Sequence, residues 1–130
     1  MKNIIISTLI LMSFMFFAFT PNDQKPWSIP AKYKSMKNTV KSDDASKNAG
    51  KVIYAKHCKS CHGSKGLGDG PKAVSLKTKI RPFNSKEFKS QTIGEKYYQS
   101  IIGRDEMPNF EKKILDESER WSVINYIETF

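Results

Sequence analysis

Cysteine and histidine are scarce in this chain. Its 130 residues include two cysteines and two histidines, so a disulfide framework is limited to one bridge. No cysteine follows the apolar N-terminal run, which excludes lipid attachment to a new N-terminal cysteine. The sequence also lacks strand patterns, internal repeats, a phosphate-binding loop, a nucleophile–base pair and an aromatic-basic nucleic-acid motif. These absences argue against an enzyme and against nucleic acid as a partner.

The one long apolar run lies at the N-terminus. Lys2 precedes residues 4–19, which are apolar apart from three hydroxyl residues, and this pattern predicts an export signal. The run is near the lower length limit for a membrane-spanning helix, so residues 1–20 are either a cleaved signal peptide or an uncleaved membrane anchor. We therefore expect an exported protein on the periplasmic side of the cytoplasmic membrane, soluble or N-terminally anchored.

Positive charge dominates the composition. The chain has 22 lysines and arginines against 13 aspartates and glutamates, a formal net charge of +9. The lysines are scattered, which fits a plain solvated surface. A positive field that steers the protein toward an acidic docking surface on a partner is the alternative.

The chain divides into three segments. After residues 1–20, residues 21–48 hold three prolines and little apolar periodicity, which indicates a linker or an extended arm. Trp27 and Ile29 are the apolar exceptions, and they are the candidates to dock on the domain that follows. That domain is predicted for residues 49–130.

Three helices and no strands are predicted in or next to this domain. Each helix is recognised by a capping residue at its start and by apolar residues at helical spacing. The first leads from the capping region at Asp43 to Cys58, the second from Thr92 and its capping-box partner Glu95 to Gly103, and the third from Asp116 through Val123, Ile124 and Ile127 to Phe130.

A long segment without periodicity separates the first two helices. Residues 63–91 are rich in glycine and proline, and a loop of this length is unusual in a small domain unless it wraps something. A domain this small also gains little from a protein core alone. A large apolar cofactor at the centre explains both features.

The residues to hold such a cofactor are present. Cys58, Cys61 and His62 form the C-x-x-C-H signature of haem attachment. Residues three and four apart share one helix face, so both thiols reach the porphyrin vinyl groups while the imidazole reaches the iron. The motif predicts one covalently bound haem c.

Three other uses of these residues are weaker. A disulfide between cysteines three apart closes a small loop and stabilises little. A redox-active Cys-x-x-Cys is expected after a strand of a thioredoxin-like unit, and no strand is predicted. A zinc site needs four ligands, and only His57 adds to the three residues of the motif.

Met107 is the predicted sixth ligand of the iron. It lies beyond the second helix, where Pro108 favours extended backbone. The other methionines fall in residues 1–20 or in the arm, and His57 is next to Cys58 and cannot reach the opposite side of the ring. A His/Met pair fills both axial positions and favours electron transfer over binding of small ligands.

These residues resemble the class I monohaem cytochromes c, especially a short bacterial branch. The resemblance covers about 80 residues and implies an all-α cytochrome c fold, three to four helices wrapped around one haem, with the first and last helices crossing near a right angle. It is carried by Gly50, Tyr54, Cys58, Cys61, His62, the glycine-rich run of residues 61–71, Met107 and Pro108.

The resemblance also implies roles around the haem. Gly50 is expected to allow close helix approach, and Tyr54 to pack against the last helix. The Pro71 carbonyl is expected to accept a hydrogen bond from the His62 ring, with an ordinary turn residue as the alternative. The remaining expected neighbours are Arg81 near a haem propionate, or at the surface, with Phe83 beside it, and Phe110 and Trp121 in core or haem packing.

The sequence thus predicts a carrier of single electrons between redox partners in a respiratory-type chain. The iron alternates between Fe(II) and Fe(III), and the protein is not itself an enzyme. A haem-bearing subunit of a larger membrane oxidoreductase complex is the first alternative. A haem-based ligand sensor is the second, if Met107 dissociates or never binds.

Overall fold

The computed structural model describes residues 25–130, so the predictions for residues 1–20 lie outside the described part. Within residues 25–130 the secondary structure is helical, with no strand and a single isolated bridge between Arg104 and Met107. The all-α prediction is therefore confirmed. The helices are α1 (Ala31–Lys34), α2 (Asp44–His57), α3 (Lys59–His62), α4 (Lys86–Lys89), α5 (Ile93–Tyr97), continued by a π-helical turn (Tyr98–Ile102), and α6 (Glu117–Ile127).

The predicted helix starts are the observed ones. Asp43 and Ser46 form a capping box at α2, and Thr92 and Glu95 form one at α5. The Asp116 side chain accepts a hydrogen bond from the Ser118 amide at the start of α6. Each cap satisfies amide groups that the first helical turn leaves unpaired, which is why these side chains define the boundaries.

The core lies between α2 and α6. Gly50 of α2 is where the two helices meet, because a Cβ atom there would overlap the Ser122 carbonyl oxygen of α6. Tyr54, one turn later, packs its ring 5.3 Å from that of Tyr126. Both contacts match the expectations drawn from the resemblance. Around this crossing lie the most deeply buried apolar side chains, Trp121, Val123, Ile124, Ile127 and Ile101.

Residues 63–91 wrap the domain. The segment folds back on α3 through hydrogen bonds from the Gly70 amide to the Cys61 carbonyl, at 3.1 Å, and from the Lys72 amide to the Ser60 carbonyl, at 2.9 Å. A 3₁₀ turn (Ala73–Ser75) and helix α4 are its regular elements. The predicted long irregular connection is thus an ordered loop around one side of the cleft described below.

The arm lies against the domain. Tyr33 of α1 stacks 6.5 Å from Tyr97 and packs 4.7 Å from Tyr98. Its carbonyl oxygen occupies the space that a Cβ atom at Gly94 would need. Farther along, the Asn38 side chain donates to Oδ1 of Asn125 in α6, at 2.6 Å. Residues 25–48 therefore belong to the packed structure.

Among residues 25–130, every helix is too short or too polar to cross a bilayer. The longest is α2, with 14 residues.

Candidate haem site

A cleft of about 300 Å³ opens beside α3 and the start of the π-helical turn. It gathers residues from five separate parts of the chain, and most of its lining is apolar. Clefts of about 300–1,000 Å³ with a few polar groups are typical of cofactor sites. The predicted site residues in its lining are Cys58, Cys61, His62, Arg81, Phe83, Met107, Pro108 and Phe110.

Helix α3 presents the attachment residues. The Cys58 amide donates to the Tyr54 carbonyl at 2.9 Å, so α3 continues almost directly from α2. The Cys61 and His62 amides both donate to the Cys58 carbonyl, at 3.1 and 3.0 Å. This single tight turn places both thiols and the imidazole on the cleft side of the helix.

Burial keeps the Cys58 thiol protonated. Desolvation raises the pKa of the Cys58 thiol to about 12, with Cys61 adding to the shift. A redox-active Cys-x-x-Cys needs the opposite, a lowered thiol pKa. No disulfide joins Cys58 and Cys61. This chemistry disfavours the disulfide-exchange alternative and leaves both sulfurs available for thioether bonds.

The imidazole of His62 is half-buried and neutral. Burial lowers its pKa to about 4, so the ring keeps a free lone pair at neutral pH, as a metal ligand requires. The ring lies on Phe83, with 4.7 Å between centroids and 11° between planes. Its Nδ1 atom is buried and has no hydrogen-bond partner within residues 25–130. In this orientation the hydrogen bond to the Pro71 carbonyl is not formed, and Pro71 is an exposed residue of the loop.

Met107 reaches the cleft on a short, well-anchored turn. The Met107 amide donates to the Arg104 carbonyl at 2.8 Å, and Asp105 between them has a left-handed backbone with φ of 50°. The Glu106 carboxylate accepts from the amides of Lys77 and Thr78, at 3.0 and 2.9 Å. These bonds lower the pKa of Glu106 and fix the methionine turn to the wrapping loop.

Two predicted neighbours belong to the core instead of the cleft lining. Tyr54 is 2% exposed, and its hydroxyl donates to the Gly63 carbonyl at 2.7 Å. Tyr54 therefore contacts the C-terminal end of α3 from the core and does not line the cleft. Trp121 is fully buried, and its ring packs 4.5 Å from that of Tyr97. Of the two roles left open for Trp121, core packing is the one observed.

Some residues at the site were not predicted. Arg104 and Glu106 position the methionine turn, and Trp27 of the arm lines the cleft. Both charged residues precede Met107 in the sequence and were visible there, but their partners lie 28 to 79 positions away. Only the apolar character of Trp27 in a polar arm marked it as a docking residue.

The residues present fit a haem. The cleft offers two cysteine sulfurs that no disulfide joins, a neutral imidazole with an unpaired buried nitrogen, and a thioether. The buried Nε atom of Arg81 also lacks a partner in the described chain, which suits a propionate. By contrast, residues 25–130 contain no group of three or more His, Cys, Asp or Glu side chains arranged to hold a bare metal ion. Zinc is therefore the poorer match.

A small helical domain whose cleft is lined by a Cys-x-x-Cys-His motif and a loop methionine has the features of a c-type cytochrome domain. Residues 45–127 match the family model described as cytochrome C oxidase, cbb3-type, subunit III. The match covers well over half of the chain, and the chain belongs to this family. This membership identifies a small c-type cytochrome domain, and it implies covalently bound haem c and a role in electron transfer.

A solved structure with the same fold belongs to a redox assembly. It is a chain of the Kuenenia stuttgartiensis reducing HAO-like protein complex, 30% identical to this protein, with a TM-score of 0.62. The alignment covers 69% of this chain and 46% of the other, so this chain spans less than half the length of that protein. No curated protein matches.

Proposed function

We propose that the protein carries single electrons between redox partners outside the cytoplasm, using one haem bonded to Cys58 and Cys61 with His62 and Met107 as axial ligands. The observation that carries the proposal is the convergence of these four side chains on one cleft. When bound, the haem supplies an iron that alternates between two oxidation states. The location outside the cytoplasm is supported by the sequence pattern of residues 1–20.

The protein's own part is to hold ligands and exclude water. Helix α3 fixes the two sulfurs and the imidazole on one turn, and the Met107 turn is tied to the wrapping loop through Glu106. Phe83 and Phe110, each 5% exposed, form dry walls of the cleft. A rigid ligand set and low polarity limit reorganisation between oxidation states and favour a raised potential.

Spectroscopy of the purified holoprotein tests the assignment. The haem should stay with the chain through denaturing acid-acetone extraction, and Cys58→Ser/Cys61→Ser should release it. Met107→Ala should lose the sulfur-to-iron charge-transfer band of the ferric protein and lower the reduction potential. Met36→Ala is the matched control, because Met36 packs against the core but does not line the cleft.

Colourless extracted chain with both thiols open to alkylation would refute haem attachment. A charge-transfer band that survives in Met107→Ala would refute the axial assignment. A wild-type ferric protein that lacks the band and binds small ligands readily would favour the ligand-sensor alternative.

A second candidate function is that of a haem-bearing subunit in a larger oxidoreductase complex, anchored in the membrane if residues 1–20 are retained. It is favoured by the oxidase-subunit family and by the similar chain from a redox complex. Purification of the full chain from its native membranes decides between the two. Stoichiometric co-purification with other haem proteins supports the subunit, and recovery alone supports the free carrier.

A further inference from the structure

The arm contributes residues to the cleft although it lies outside the family match. The matched segment begins at residue 45, whereas Lys25 and Trp27 line the same cleft as the attachment residues and Met107. A segment that only connects the domain to an N-terminal element has no physical need to reach this cleft. The position of Trp27 therefore indicates that this residue contributes to the cleft itself.

Arg104 holds the arm in place from the methionine turn. Its guanidinium carbon lies 4.1 Å from the centre of the Trp27 ring, a close cation–π contact. The same guanidinium donates to the Pro26 carbonyl at 2.7 Å and to the Lys25 carbonyl. The Arg104 side chain thus contacts three consecutive arm residues through two hydrogen bonds and one cation–π contact.

The backbone of Arg104 holds Met107 at the same time. The Arg104 carbonyl accepts from the Met107 amide, and the two residues form the isolated bridge of the fold. Displacement of the arm therefore pulls on the turn that presents the methionine. Trp27 also packs against Tyr98 in a T-shaped arrangement, with 6.3 Å between ring centres.

Other residues of the arm also contact the domain, and these contacts help to hold residues 25–27 in place. The Thr92 hydroxyl donates to the Lys34 carbonyl at 3.3 Å, and the Tyr33 carbonyl occupies the hollow above Gly94. Between arm and domain lies a second cleft, shared by Trp27 and Ile29 with Arg81. Arg81 borders both clefts, so the arm also shields the side chain expected to meet a propionate.

We propose that residues 25–27 form a fixed wall of the haem cleft and that Arg104 is a positioning residue, which couples this wall to the Met107 turn. The wall keeps water and small ligands away from the methionine side of the haem. This inference rests on the proposed haem function and adds to it a part of the chain that the family match does not include.

The test compares cyanide binding by ferric holoproteins. Trp27→Ala and Arg104→Gln should each speed cyanide association by about fivefold, because a partly exposed cation–π pair contributes on the order of that factor. Both should also weaken the sulfur-to-iron charge-transfer band. Trp27→Phe retains a ring beneath the guanidinium and should show a smaller increase than Trp27→Ala. Leu115→Ala is the control, because Leu115 is 79% exposed and lines neither cleft.

The double variant Trp27→Ala/Arg104→Gln tests the coupling. If the two residues act as one clamp, its association rate should match that of the faster single variant. If the single variants bind cyanide at the wild-type rate and keep the charge-transfer band, the proposed wall is wrong. If the rate increases of the two single variants multiply in the double variant, the proposed coupling is wrong. A wild-type chain without covalent haem is a different result, since it refutes the proposed function itself.

Discussion

Tyr54 links the hydrophobic core to the haem attachment segment. Its ring packs against Tyr126 and Phe130, each with 5.3 Å between ring centres, and its hydroxyl donates to the Gly63 carbonyl directly after His62. Burial raises the pKa of Tyr54 well above its ordinary value, so the hydroxyl remains a donor. One buried hydrogen bond thus helps to fix the end of the attachment turn.

Tyr54→Phe should therefore destabilise the holoprotein. The change removes one hydroxyl and leaves the buried Gly63 carbonyl without its donor, which costs about 1–2 kcal/mol. Denaturant unfolding monitored by absorbance measures the loss. Tyr126→Phe is the matched control in the same ring cluster, since the described structure shows no hydrogen bond from its hydroxyl. Equal stability of Tyr54→Phe and wild type would contradict the assigned role.

At the scale of helices, the crossing of α2 over α6 holds the domain together. The absent side chain of Gly50 lets the two backbones touch, and Ser122 supplies the facing carbonyl. Beside the crossing, the buried Asn125 of α6 donates to Ser46 Oγ of α2 at 3.1 Å and accepts from Asn38 of the arm. The last helix therefore fixes both α2 and the arm.

Gly50→Ala should lower stability even though alanine favours helix more than glycine does. The new Cβ meets backbone, which cannot swing aside, and overpacking of this kind costs about 1–3 kcal/mol. Ala49→Gly, at the exposed neighbouring position, calibrates helix propensity alone, for which we expect a loss of about 1 kcal/mol. Chemical denaturation compares the variants. A Gly50→Ala protein more stable than wild type would show that the helices separate freely.

The cap of α2 gives a pH dependence. Hydrogen bonding to the Ser46 amide lowers the pKa of Asp43 below its ordinary 3.8. A carboxyl group with a lowered folded-state pKa stabilises the fold above its unfolded pKa, and this contribution is lost as pH falls through the lowered value.

Asp43→Asn removes this titration and keeps a good capping side chain. Wild type should therefore be more stable than Asp43→Asn at neutral pH, and the difference should shrink as pH falls below 3.8. Thermal unfolding at a series of pH values measures it. Asp44→Asn is the control, because it removes one negative charge from the first turn of α2 and leaves the Asp43 cap unchanged. A stability difference between wild type and Asp43→Asn that is independent of pH would contradict the assignment.

At the scale of the whole molecule, charge governs how partners approach. The net charge of +9 allows steering toward acidic surfaces, while scattered lysines also suit a plain solvated surface. Lys25, Lys79, Arg81 and Arg104 border the haem cleft, with Asp105 and Glu106 beside them. The electrostatic field at the cleft therefore distinguishes a steering surface from a plain solvated one.

Small redox reagents of opposite charge measure that field directly. Reduction of the ferric protein by an anionic reagent should slow by roughly tenfold as salt rises from low to high ionic strength, because screening removes the attraction. Reduction by a cationic reagent should accelerate. Stopped-flow absorbance follows both reactions, with an uncharged reductant as control. Equal salt dependence for all three would favour the plain solvated surface.

Local sequence patterns predicted the haem chemistry and the main helices of this protein. The Cys58–Cys61–His62 spacing, the isolation of Met107 in a polar loop and the caps at Asp43, Thr92 and Asp116 are local patterns, readable because each involves residues a few positions apart. Helices α1, α3 and α4 were not predicted as separate elements, because four residues are too few to show a period.

The contacts that build the cleft lining are visible only in the folded structure. The stacking of His62 on Phe83, the bonds from Glu106 to the wrapping loop and the grip of Arg104 on the arm join residues 21 to 79 positions apart. No local pattern encodes such contacts, because they depend on where the chain returns after folding. For the same reason, the sequence predicted residues 21–48 only as a linker or an extended arm, whereas Trp27 contacts Arg104 and lines the same cleft as Met107.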